Sequence, residues 1–166
     1  NPAEAVREAW LAGQIIFGEN YLQEALAKMP ALADLPIEWH FIGPIQSNKT
    51  RDIACHFDWV HSVDRLKIAQ RLSEQRPADR GPLNVLIQLN LSNEDSKSGC
   101  ALADLGPLAS AIAALPMLAG FHVALEVNIQ DTFHVVKRHD PLLMDGLSPL
   151  RLEGSMQGVD LVLSIQ

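Results

Sequence analysis

Two short stretches decide how this chain is read: Ile16-Phe17-Gly18-Glu19-Asn20 and Trp39-His40-Phe41-Ile42-Gly43-Pro44. Each is an apolar or aromatic run that closes on a polar or glycine-containing cluster, the pattern of a strand feeding a loop. In sheets whose strands alternate with helices, ligands bind beyond the carboxyl ends of the strands, because the strand bodies are packed inside and the following loops are free to carry chemistry. These two segments are therefore the expected site.

The same rhythm runs outward from them. An amphipathic segment carrying Val6, Trp10 and Leu11 stops at Gly13, and an apolar run from Gln14 to Phe17 follows. Residues 21–29 read as a helix, 38–43 as a strand, 47–56 as a helix and 59–63 as a strand. Asp64 is placed to cap the next helix, whose Leu66, Ala69 and Leu72 share one face before Pro77 ends it. Residues 83–91, Leu-Asn-Val-Leu-Ile-Gln-Leu-Asn-Leu, are nearly continuous in apolar side chains, as expected of a parallel strand covered on both faces. A helix over 107–115 and a strand over 120–127 continue the series. Strands alternating with helices at this spacing imply right-handed βα units, hence a (β/α) barrel or a doubly wound sheet. After Asp131 the rhythm is harder to read, although Val159 to Ile165 has the look of a strand.

Bulk properties bound the function. The chain has 166 residues, 48% of them hydrophobic, enough for one domain with a real core spanning 1–166. A formal net charge of −7 argues against a general nucleic-acid binder, which needs excess Lys and Arg to displace condensed counterions. Cys55 and Cys100 show neither metal-type nor redox spacing and read as reduced thiols of a cytoplasmic protein. No apolar segment approaches the ~20 residues a membrane span needs, and Asn1-Pro2-Ala3-Glu4 is a helix start rather than a leader peptide. A first residue other than Met, placed directly on a helix start, reads as a fragment or a processed form.

The candidate chemistry is modest. Asn20 stands between a strand and a helix, where its amide either caps the helix or faces an anionic ligand. His40 sits inside a strand with Trp39 and Phe41 on the opposite face, so it points either into a barrel or against a helix. The other histidines, His56, His61, His122, His134 and His139, form no pair at a helical metal spacing, so no zinc site is expected. The segment 46–51, Gln-Ser-Asn-Lys-Thr-Arg, would suit a phosphate or serve as an ordinary capped helix start. No nucleophile–histidine–acid set emerges from spacing.

At these segments the chain resembles a known family. Residues 17–24 (FGENYLQE), 39–49 (WHFIGPIQSNK), 60–65 (VHSVDR), 86–90 (LIQLN) and 96–99 (SKSG) look like the pyridoxal-phosphate homeostasis proteins, over a span from about Asn1 to Leu118, with 119–166 divergent. The resemblance implies a TIM-type (β/α) barrel of the alanine racemase N-terminal type, complete or incomplete. It further implies a pocket for pyridoxal 5′-phosphate (PLP) bordered by Asn20 and His40, neither of them catalytic. Members are carriers or regulators of vitamin B6 and amino and keto acid balance rather than enzymes. The cofactor is their small-molecule partner, with no nucleic acid or membrane, in a cytoplasmic monomer or weak homo-oligomer. The family's Schiff-base lysine precedes the proline that Pro2 matches, and so lies upstream of residue 1. The family's late Gly-Met-Ser and Arg-containing segments are not found after Asp131. Two alternatives stand beside this reading: a PLP-dependent racemase-like enzyme, which would need a lysine and a second base, and a truncated or rearranged scaffold. The segment 159–164 has the apolar-then-serine look of the family's first strand and could fill that place, although it carries Ile165 and not lysine after the serine and ordinary strand resemblance is the better explanation.

Overall fold

The computed structural model describes residues 2–90, 98–126, 150–156 and 159–165. They fall into two compact units, Asn1–Glu126 and Val127–Gln166. The first alternates helix and strand in the expected order: α1 (Ala3–Leu11), β1 (Ile16–Glu19), α2 (Leu22–Lys28), β2 (Glu38–Phe41), α3 (Thr50–His56), β3 (Trp59–Val63), α4 (Leu66–Gln75), β4 (Leu83–Asn90), α5 (Leu105–Ala113) and β5 (Leu118–Glu126). Its sheet has the order β1-β2-β3-β4-β5, and every pairing is parallel. Sequential neighbours joined by helical crossovers are what βα units produce.

Side-chain alternation divides the sheet into two unlike faces. Trp39 and Phe41 of β2, Val60 of β3 and Leu83, Val85, Ile87 and Leu89 of β4 are buried. So are Ala25, Ile53, Ala54, Ile68, Ala69, Leu72, Leu108, Ala109 and Ile112 of the helices, and together these form the core. Phe41 meets Phe57, just past α3, edge to face at 5.2 Å, and Phe17 lies 6.0 Å from Trp39. Residues of opposite parity, among them His40, His61, Asn84, Leu86 and Gln88, are only half-buried. We call this second side the open face. The apolar run of β4 had implied cover on both sides; the strand instead alternates buried and half-buried along its whole length.

Helix ends depart from the sequence expectations in detail. Residues 47–49 form a 3-10 turn before α3, and Asp64 forms an ion pair with Arg65 at 2.6 Å instead of capping α4. Arg76, buried just past α4, supplies the missing termination elsewhere. Its guanidinium donates to the carbonyls of Ala54, Phe57 and Gly81, which closes the end of α3 from another element.

In the second unit β6 (Leu150–Met156) pairs antiparallel with β7 (Val159–Ile165). Residues 159–164 are thus strand, as read, but their described partner is β6. The parallel sheet of the first unit comprises β1 to β5 among the described residues. Residues 131–149 and the Ser96-Lys97 part of the 96–99 motif lie outside the described residues.

Candidate functional site

The loops after β1 and β2 meet at the carboxyl edge of the sheet. Glu19 pairs in register with Phe41, and the Ile42 amide donates to the Glu19 carbonyl at 2.9 Å, so Asn20 comes to lie beside Gly43. A Cβ on Gly43 would stand 2.0 Å from the Asn20 carbonyl oxygen, so only glycine fits. The Ser62 hydroxyl, from the last turn of β3, donates to the Gly43 carbonyl and fixes the loop from below. At the end of β4 the chain returns to the same edge. Asn90 donates to the Cys100 carbonyl and Cys100 to the Gln88 carbonyl, with Gly99 at φ +126° between.

Asn20 is exposed, and it does not cap α2: the residue at that position is Tyr21, and no side chain bonds the helix start. The local capping explanation therefore falls away, and the Asn20 amide stands exposed at the edge. Glu19, its neighbour, turns to the helix side and forms a buried ion pair with Lys28 at 2.7 Å. In the 46–51 segment Arg71 donates to the Ser47 carbonyl and Thr50 bonds Gln75, while Gln46, Asn48 and Arg51 are exposed.

His40 lies on the open face, which settles the alternative the sequence had left. Its Nδ1 is 2.8 Å from His61 Nε2 and its Nε2 is 2.8 Å from Glu38 Oε1, while its ring stacks on Trp59 at 5.5 Å. Register orders these groups along the sheet. Glu38 is level with Ile16, and His40 with Gly18 and Trp59. His61, two residues beyond Trp59, reaches the level of Ile42. It is thus His61, not His40, that stands at the height of Asn20. Burial, and second the neighbouring His40, hold the His61 imidazole below its ordinary value of 6.5. Sequence reading missed His61 because partners on adjacent strands have no fixed spacing, and missed Glu38 although its place two residues before His40 on the same strand gives it the same parity.

No described lysine lies on a strand: Lys28 is in α2, Lys49 in the turn before α3 and Lys67 in α4. The described strands therefore present no strand-borne amine that could bond an aldehyde.

A parallel sheet of strands alternating with helices, with polar groups collected at its carboxyl edge, defines an α/β domain built of βα units. The family model described as alanine racemase, N-terminal domain, matches residues 2–125, and the chain belongs to that family. It is 72% identical over 117 residues to the pyridoxal phosphate homeostasis protein of Pseudomonas aeruginosa, covering 70% of this chain and 51% of that protein. To the protein of the same description from Escherichia coli K12 it is 58% identical over 120 residues, again 70% and 51%. The chain thus spans about half the length of these relatives. Among solved structures, PipY of Synechococcus elongatus without PLP superposes with a TM-score of 0.72 at 38% identity, over 78% of this chain and 60% of that one. PipY with PLP bound superposes with a TM-score of 0.70 at 37% identity, with the same coverage. The resemblance read from residues 17–24, 39–49 and 60–65 holds, and so does the α/β fold of the alanine racemase N-terminal type.

Proposed function

We propose that this chain binds pyridoxal 5′-phosphate at the carboxyl edge of its sheet, as a non-catalytic carrier or regulator in vitamin B6 and amino and keto acid homeostasis. The observation that carries the reading is the likeness, at 37% identity, to a protein solved with PLP bound. The open face supports it from this chain's own side, through the exposed amide of Asn20 and the ring of His40 on neighbouring strands. In this reading Asn20 and His40 border the pocket. Asn20 contributes a hydrogen bond from its amide, and His40 contributes an oriented ring on the wall below.

When bound, the cofactor supplies a reactive aldehyde; the described residues would hold it by hydrogen bonding and shape. A cytoplasmic monomer, or weak homo-oligomer, without nucleic-acid or membrane partners fits the net charge of −7 and the two free cysteines. No helix among the described residues is long and apolar enough to cross a membrane.

The test is absorbance and equilibrium dialysis after adding PLP, followed by borohydride reduction and peptide mapping. Saturable binding that weakens about tenfold in Asn20→Ala, the scale of one lost hydrogen bond, supports the reading. A lysine-linked adduct would assign the holding amine among Lys28, Lys49, Lys67, Lys97 and Lys137. Racemisation of an added amino acid would move the assignment to the enzyme, and absence of saturable binding would leave a scaffold.

A further inference from the structure

Glu38, His40 and His61 make a continuous hydrogen-bonded line up the open face. The distances are 2.8 Å from Glu38 Oε1 to His40 Nε2, and 2.8 Å from His40 Nδ1 to His61 Nε2. Its lower end lines a cavity of about 430 Å³ at the amino end of the strands, bounded also by Pro36, Asp58, Arg80 and Asn84. Its upper end reaches the height of Asn20. No residue of this line serves the core, since the buried members of β2 and β3 have the opposite parity or lie beyond the bulge between Val60 and Val63.

We propose that Glu38, His40 and His61 form a proton relay that links the cavity at the foot of the sheet to the ligand-facing edge, with His61 as the acceptor and His40 as the store. This rests on the geometry of the three side chains and not on the identity of the ligand. In the resting line His61 donates its Nε2–H to His40 Nδ1, and His40 donates its Nε2–H to the Glu38 carboxylate. The free Nδ1 of His61 then accepts a proton from a donor at the edge. As that N–H bond forms, the His61 Nε2–H bond breaks and a His40 Nδ1–H bond forms. His61 ends neutral with its proton on the other nitrogen, and His40 ends as an imidazolium.

Each neighbour favours that endpoint. Glu38 is the adjacent anion, and the Trp59 ring stacked on His40 presents a face that attracts a cation. His61 is disfavoured as the holder of charge because it is desolvated and lies beside His40. The groups facing the line from β1 and β4 are Ile16, Gly18, Asn84, Leu86 and Gln88, none of which ionises; Asp58 and Arg80 stand at the foot, paired with each other at 2.9 Å. Among the described residues Glu38 is thus the one anion in contact with the histidine pair.

Nitrogen-15 NMR of the histidine rings in the full chain tests this. Expected is one midpoint shared by both rings, at which His61 changes which nitrogen carries hydrogen. Glu38→Gln removes the anion at His40 Nε2 and should abolish the change of the His61 tautomer, and His61→Gln should abolish the coupling between the rings. Independent titration of the two rings, or a His61 tautomer that stays constant while His40 ionises, overturns the relay. Both readouts come from the unsubstituted protein, so they stand even if a variant fails to fold, and neither depends on whether PLP binds.

Discussion

The carbonyl oxygen of Asn20 and the α-carbon of Gly43 approach so closely that a single added methyl group would stand 2.0 Å from that oxygen. This contact joins the loop after β1 to the loop after β2. Gly43→Ala must therefore part the two loops, and we expect a loss of about 2 kcal/mol, in the range of overpacked sites. Urea unfolding of both proteins measures it, and an unchanged midpoint would contradict the contact.

Glu19 and Lys28 face each other at 2.7 Å with side chains only 12% and 8% exposed. Removing one partner leaves the other charge buried without compensation. Lys28→Met should cost about 3 kcal/mol, and adding Glu19→Gln should recover part of that loss, because a neutral pair no longer needs the ion. Thermal unfolding of the single and double variants tests the coupling; additive losses would refute it.

Arg76 holds the carbonyls of Ala54, Phe57, Arg80 and Gly81, so its role is geometric as well as electrostatic. Arg76→Lys keeps the charge but loses the planar fork, and should destabilise by about 2 kcal/mol. A chemical-denaturation midpoint equal to that of the parent would show that water replaces the bonds.

Stability should depend on pH through His61. Burial and His40 lower its pKa in the folded chain below the 6.5 of the unfolded one. On acidification the unfolded state therefore binds the proton first, and stability from this group is lost as pH falls through 6.5 toward the lower folded value. His61→Gln should flatten the stability profile on that acid side, while leaving it unchanged above about pH 7.5, where the imidazole is neutral in both states. Melting temperatures across that range give the comparison.

What the linear chain determined by itself was the alternation of elements and the location of the edge. The apolar run that makes 83–90 a strand, the helix stop at Gly13 and the polar closings after Phe17 and Phe41 are local properties, carried by composition and turn chemistry, and short range suffices to read them. Asn20 was legible for the same reason, since a polar residue between strand and helix marks a strand end. Helix starts were less legible, because Asp64 had a competing partner in Arg65 and Asn20 lay one residue before the capping position. Tertiary structure alone decided which face His40 occupies, that His61 and Glu38 are its partners, and that residues 159–165 pair with 150–156. His40 and His61 meet across parallel strands joined by a long crossover and are 21 apart in the chain, while the Glu38 contact and the β6–β7 pairing depend on side-chain rotamer and register, which packing sets rather than any spacing written in the sequence.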